Sequence, residues 1–270
     1  RISVIVVSHN RIALLRKCLD RLGAPGQVIV ADNGSTDGSA QLEADYPNVR
    51  FIRIPRNFGL TKALNLGLRS SDGELVLFLH EDVEISPGVV QALAAVLDTR
   101  PEIGAVSPLL LDDAGSPVPQ VCALPTPDQP ESLWTPASPD EDREVECATG
   151  AAIMFRSFFL KALREIDAHY GNYGSDIELC AQIRRSGKKV LVLHEIHAVH
   201  HGTEDQSSGG LRAQSAADRE LGMAVYLSKH FGFWPGLKHR IGRSFGALLS
   251  FRLTELKLLV AGQKIDGTHR

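Results

Sequence analysis

The apolar run Leu75–Leu79 ends abruptly in His80, Glu81 and Asp82. Bounded by Asp72-Gly73 and Pro87-Gly88, it reads as a buried central strand. Strands of this kind in open α/β sheets present their carboxyl ends to a crevice where ligands bind. Three ionisable groups at such an edge are either a solvated loop start or a metal site. A second acidic point, Ser175-Asp176 in "YGSDIELC", opens a helical pattern. By itself such a carboxylate reads as a helix N-cap. His194, His197, His200 and His201 follow "KKVLVL". Their strand-loop spacing does not resemble the helical H-E-x-x-H pattern of zinc enzymes, and no cysteine is near. Ser8-His9-Asn10-Arg11 stands where the first apolar segment ends, offering short polar groups to a base or ribose, or an N-cap to the next helix.

The elements that must position these residues alternate. "ISVIVV" gives way to a helical spacing at Ile12, Leu15, Leu19 and Leu22. "QVIVAD" runs into the turn "NGSTDGS", and "VRFIRI" into the helical "LTKALNLGLRS". Alternation of this kind predicts parallel strands with crossover helices on both faces. From Leu111 to Cys147 the chain turns to Pro, Asp and Glu, which reads as a long irregular excursion over the surface, a flexible lid. Order resumes with "ATGAAIMFRS", the helices "SFFLKALREI" and "DIELCAQIRRSG", and the strand "KKVLVLHEI". The last fifty-odd residues read as amphipathic helix.

A chain of 270 residues buries a sizeable core, and 43% hydrophobic with 23% charged residues is ordinary for a globular protein. The net charge of −3 is uneven: from Ser228 onward the chain carries +6, leaving −9 on the rest. An acidic body argues against nucleic acid as a partner. Cys18, Cys122, Cys147 and Cys180 are scattered without paired spacing and read as reduced cytosolic thiols. No signal peptide is visible at the strand-like "RISVIVV", and no segment is apolar enough to span a bilayer.

The order of "VVSHNR", "VADNGSTDGS", "NFGL", "LHED", "TGAAIMFR", "YGSDIELCAQIRRSG" and "VHHG" resembles that of the family 2 glycosyltransferases over about residues 1–205, and within them the bacterial rhamnosyltransferase-like branch. The resemblance implies an α/β fold: a Rossmann-like nucleotide-sugar-binding domain of the A type with a mostly parallel central sheet, and a C-terminal helical extension. It divides the chain into a catalytic domain, 1–205 (nucleotide-binding half 1–110, acceptor half 111–205), and an amphipathic extension, 206–270. It implies Asp82 as ligand of Mn²⁺ or Mg²⁺, since hard oxygen donors and phosphate suit these ions. His80 stands where the family usually has Asp or Asn. His200 is the histidine expected to complete the metal shell, with His201 sent the other way by strand alternation. Ser8, Asn10, Arg11, Asp32, Lys62, His80 and Glu81 are expected around the nucleotide. Asp176 is the expected catalytic base, with Ser175 where the family has Glu, and Glu178 as fallback.

The expected reaction is inverting transfer from a UDP-, dTDP- or GDP-linked sugar to a glycan or lipid-linked acceptor, in cell-surface polysaccharide synthesis. The alternatives are a sugar-nucleotide nucleotidyltransferase, which lacks an early Gly-rich basic loop here, and a non-catalytic nucleotide-sugar-binding module. Trp134 is a candidate for stacking on an acceptor sugar, and "GTEDQSSGG" for a loop that orders over the donor. The basic, aromatic tail is expected to touch the inner face of the cell membrane. Its alternative is to pack on the catalytic domain or on a second subunit, as a homodimer.

Overall fold

In the computed structural model, which describes residues 1–202 and 209–265, strand alternation sorts the apolar residues into two cores. In β1 (Ile2–Ser8), Val4 and Val6 face one side of the sheet, Ile5 and Val7 the other, and all are buried. The first side is covered by α1 (Ile12–Leu22) through Leu15, Cys18, Leu19 and Leu22. After β2 (Gln27–Asn33) and β3 (Val49–Ile54), α2 (Leu60–Ser70) covers the second with Ala63 and Leu64. Gly67 lets α2 approach closely, because a Cβ there would lie 2.4 Å from a methyl of Ile5. β4 (Leu75–His80) and the short β5 (Val83–Glu84) lead to α3 (Pro87–Thr99), capped by Ser86 and packed on the first side beside α1.

β6 (Ile103–Leu111) opens the second half, followed by β7 (Pro119–Cys122), β8 (Thr135–Pro136), β9 (Arg143–Val145), β10 (Cys147–Ala148) and β11 (Ala152–Arg156). Then come α4 (Ser157–Ala162), α5 (Ser175–Arg185) and β12 (Lys189–His200). The main sheet runs β3-β2-β1-β4-β11-β6-β12-β5, with β9 also paired to β12. The long strands share one direction except β11, which lies antiparallel between β4 and β6. This is the mostly parallel sheet expected, with helices on both faces.

The inverted strand positions the site. Because β11 runs backwards, its start meets the carboxyl end of β4: Ala152 pairs with Leu79, and the His80 N–H donates to the Ala151 carbonyl at 2.9 Å. At the far side, β12 shifts register after Leu193 and reaches β5, so that His200 pairs with Val83, next to Asp82.

The Pro-rich stretch is more ordered than its composition predicts. β10, β7 and β8 form a second, three-stranded sheet. Prolines are tolerated because Pro119 begins its strand and Pro136 lies on the edge strand. Gln120, fully buried, anchors the stretch: its carboxamide accepts from Leu110 N at 2.8 Å and donates to the Pro108 carbonyl at 2.9 Å. Three of the four scattered cysteines also gather here, since Cys122 pairs with Cys147 across the small sheet and Cys180 joins the same core. All four are free thiols.

The tail forms α6 (Gly209–Phe231), α7 (Phe233–Leu249) and α8 (Leu253–Ala261). α6 packs into the core of the second side through Met223, Tyr226 and Leu227. Among the described residues, no helix is long and apolar enough to cross a membrane.

Candidate active site

Asp82, at 3% exposure, is the centre of the strand-edge cluster. Its Oδ2 accepts from Arg11 at 3.1 Å, and His200 Nε2 lies 3.5 Å from its Oδ1, which has no hydrogen-bond partner. Burial pushes the carboxyl upward, but His200 first, then His80 and Arg11, outweigh it and hold Asp82 at about 2. Glu81 goes the other way: burial and the neighbouring Asp82 charge raise it to about 7, against a weaker pull from Arg11, 3.8 Å away. Burial lowers the pKa of His80, against the opposing pull of the Asp82 and Asp176 carboxylates. Two further buried polar atoms here have no partner, Ser8 Oγ and His9 Nδ1. Buried polar groups are paired in nearly all folded proteins, so three orphans along neighbouring strand ends mark a place built for a polar ligand.

Asp82 and His200 are the donors available to a divalent cation, and the orphaned Oδ1 beside an imidazole nitrogen fits that use. Among the described residues no group of three or more His, Cys, Asp or Glu could hold a metal alone. Magnesium-type sites commonly take one or two protein ligands and complete their shell with substrate phosphate and water. His201 is turned away, bound by Glu84 at 2.6 Å and Asp113 at 2.7 Å, as strand alternation predicts.

His80 also lines a cavity of about 450 Å³, and Asp176 is part of the same lining. Gly174 precedes α5 in the left-handed conformation (φ 98°), so Asp176 falls in the first turn and is not the N-cap. Its Oδ2 accepts from Gly150 N at 3.2 Å and its Oδ1 from Ile177 N at 2.9 Å. Burial raises its pKa despite these hydrogen bonds and the pull of His80. A carboxylate so raised, facing a cavity, is a competent general base. Trp134, Tyr173 and Arg219 line the same cavity.

The remaining expected residues divide. Asp32 stands beside Ser8 at the sheet edge, with its Oδ1 accepting from Ser35 N at 3.1 Å. Asn10, at φ 55°, spends its carboxamide oxygen on Thr36 N at 2.7 Å and so fastens the 33–37 turn to β1. Lys62 is not brought to the cavity: it lies over the Phe58 ring and lines a separate groove with Arg53 and Glu165. Glu178 is excluded as a base. It is 3% exposed and bonded to Tyr170, Gln182, His230 and Lys229, which outweigh burial and hold it at about 2. Of the run 202–210, residues 203–208 lie outside the described residues.

This arrangement has relatives. The sequence profile of Glycosyl transferase family 2 matches residues 3–121, from β1 through the strand-edge cluster to β7. Over those residues the chain is similar to the family 2 glycosyltransferases. A curated relative, the N-acetylglucosaminyl-diphospho-decaprenol L-rhamnosyltransferase of Mycobacterium tuberculosis, is 28% identical over 239 residues, covering 78% of this chain and 77% of its own. Two solved structures share the fold. The mannosyltransferase PcManGT of Pyrobaculum calidifontis, with GDP-Man and Mn²⁺, matches 97% of this chain and 85% of its own, with TM-score 0.56 and 18% identity. GalNAc-T7, with UDP, GalNAc and Mn²⁺, matches 74% of this chain with TM-score 0.59 and 17% identity; this chain spans 44% of it. The chain therefore has the A-type glycosyltransferase fold expected.

Sequence reasoning missed what lies far apart along the chain. Nothing in the spacing of Arg11 and Asp82 announces their ion pair. Glu131, Arg219, Glu220 and Arg243 come from the Pro-rich stretch and the tail, yet all line the cavity with Asp176. Arg243 bonds both Glu131 and Glu220 at 2.7 Å. Of these only Arg243 belongs to the basic run from Ser228 onward; the other three carried no signal in the sequence.

Proposed function

We propose that this glycosyltransferase moves a sugar from a nucleoside-diphosphate donor to an acceptor hydroxyl by one in-line, inverting displacement. The observation that carries the reading is the unpartnered Oδ1 of Asp82 beside His200, joined through His80 to the cavity that holds Asp176. Asp82 and His200 would hold a Mn²⁺ or Mg²⁺ ion. Such an ion, when bound, neutralises charge building on the departing diphosphate. Ser8 and Asp32 offer polar atoms to the nucleoside from adjacent strand ends. Arg11 neutralises Asp82 before the donor arrives and is then available to the diphosphate. Asp176 accepts the hydroxyl proton as the acceptor oxygen attacks the anomeric carbon, held in place by Gly150 N and Ile177 N.

UDP-, dTDP- and GDP-linked sugars are the donor classes in view; the solved structures with UDP or GDP-Man, each with Mn²⁺, support a nucleotide and a divalent ion. The lipid-linked acceptor named for the mycobacterial relative supports a lipid-linked glycan acceptor and a part in cell-surface polysaccharide synthesis at the inner face of the membrane.

The test is calorimetric titration of a panel of nucleotide sugars, with and without Mn²⁺. The intact chain is expected to bind one of them more tightly with Mn²⁺, and Asp82→Ala to lose that difference. Metal-dependent affinity unchanged in Asp82→Ala would overturn the metal assignment. Pyrophosphate-dependent exchange in place of sugar transfer would move the chain to the nucleotidyltransferases.

A further inference from the structure

α7 has two apolar faces, and among the described residues only one is packed. Gly236, His239 and Ala247 form the buried face, three and eight residues apart and so on one side of the helix. Gly236 lies so close to α6 that a Cβ would meet Ser228 Oγ at 1.9 Å. On the opposite side, offset by half a turn, stand Trp234 (74% exposed), Ile241, Phe245 and Leu248. Phe251 (87% exposed), Leu253 and Val260 extend this face past the end of α7 and onto α8. Single exposed apolar residues are ordinary, but a contiguous patch of large ones marks an interaction surface.

Charge identifies the occupant. Residues 228–265 carry seven Lys and Arg against Glu255 alone, in a chain whose net charge is −3. Lys238, Arg252 and Lys257 are exposed around the apolar face. A second copy docking through this face in two-fold symmetry would set +6 against +6, which opposes association. An anionic lipid surface offers both what the apolar side chains need and what the cations need. We infer that the exposed face of α7 and α8 docks the protein on an anionic lipid bilayer, with Trp234, Ile241, Phe245 and Leu248 entering the interface.

Docking in this orientation sets the cavity at the bilayer. Glu131 and Arg243 line the Asp176 cavity and also the groove beside Trp234, so the two spaces adjoin at that pair. The acidic remainder of the chain, repelled by the same surface, turns outward. The inference stands on the α7 and α8 surface alone and does not require the site to transfer sugar.

The experiment is co-sedimentation of the full chain with phosphatidylglycerol vesicles and with phosphatidylcholine vesicles, for the parent and for Phe245→Glu/Leu248→Glu. Both residues are exposed, so the variant is expected to unfold at the parent's temperature. At about 50 mM salt, the parent should bind phosphatidylglycerol vesicles at least about tenfold more tightly than phosphatidylcholine, with the preference fading as salt rises. The double variant should lose vesicle binding. Equal binding of parent and variant, or no binding of the parent to phosphatidylglycerol, overturns the inference. So does sedimentation equilibrium showing a parent dimer that the variant breaks, since the face would then belong to a second copy.

Discussion

Asp82 and Asp176 are both carboxylates at the edge of one sheet, yet their surroundings pull them apart. Asp82 has three cations or imidazoles near it and is held at about 2; Asp176 has backbone donors and burial, and is raised. Groups whose environments separate their pKa values take separate roles. Asp176→Asn is therefore expected to keep donor affinity while cutting turnover by about 10²–10⁴, the usual worth of a general base. The check is calorimetry beside single-turnover transfer; equal losses of folding stability and turnover would return Asp176 to a helix-end role. The turnover profile should also fall on its acid side with an apparent pKa above the ordinary 3.8, because turnover needs the ionised form. The strand-end places of His80 and Asp82 and the helix-start place of Asp176 were legible in the sequence, because each follows a clean apolar run or opens a helical pattern. Lys62 and Glu178 were misplaced because their partners, Phe58 in one case and Tyr170, Lys229 and His230 in the other, are set by helix rotation and tertiary packing.

At the scale of elements, the strands were legible because period-2 alternation leaves a buried strand few other ways to lie. The inversion of β11 was not, since apolar pattern carries no direction, and that inversion brings Gly150 to Asp176. The small sheet was hidden by its prolines, which are compatible with strand ends and edges. α5 is held to α6 by one buried cluster: Glu178 with Tyr170 at 2.7 Å, His230 at 2.6 Å and Lys229 at 3.0 Å. Removing one partner of a buried charged pair strands the others, so Glu178→Gln is expected to lower stability by roughly 3 kcal/mol. Any turnover change should track the unfolded fraction, which separates it from Asp176→Asn; denaturant unfolding beside activity makes the comparison. A carboxyl held at about 2 when folded, and near 4.5 when unfolded, stabilises the fold fully above 4.5. That contribution is lost as pH falls through 4.5 toward 2. In Glu178→Gln the acid-side loss of stability over this window should be shallower.

The whole molecule closes around its C-terminal helices. Met223, Tyr226 and Leu227 of α6 lie in the same core as Phe78 and Phe155 of the central sheet. Asp218, fully buried, accepts from Asn172 N at 2.9 Å and from Ile265 N at 3.2 Å, tying the loop before α5 and the segment after α8 to one carboxylate. Gly171 beside it sits at φ 64°, and a Cβ there would come within 2.8 Å of Asp218 Oδ1. The tail is thus a wall of the Asp176 cavity as well as a surface, although its sequence reads only as an amphipathic, basic extension. A chain ending at Gly202 would leave Glu178 without His230 and Lys229 and expose the face that α6 covers. Burying a large apolar side chain contributes about 1.5–3 kcal/mol, so three lost on α6 together with the Glu178 pairs rival the about 5–15 kcal/mol that holds a typical domain folded. That shortened chain is expected to show no cooperative thermal transition by calorimetry and no donor binding. A chain ending at Ile265 keeps every contact named here and should match the parent in both. If the chain ending at Gly202 unfolded cooperatively near the parent's temperature, the helices would be an appended layer, and the cavity would owe its shape to residues 1–202 alone.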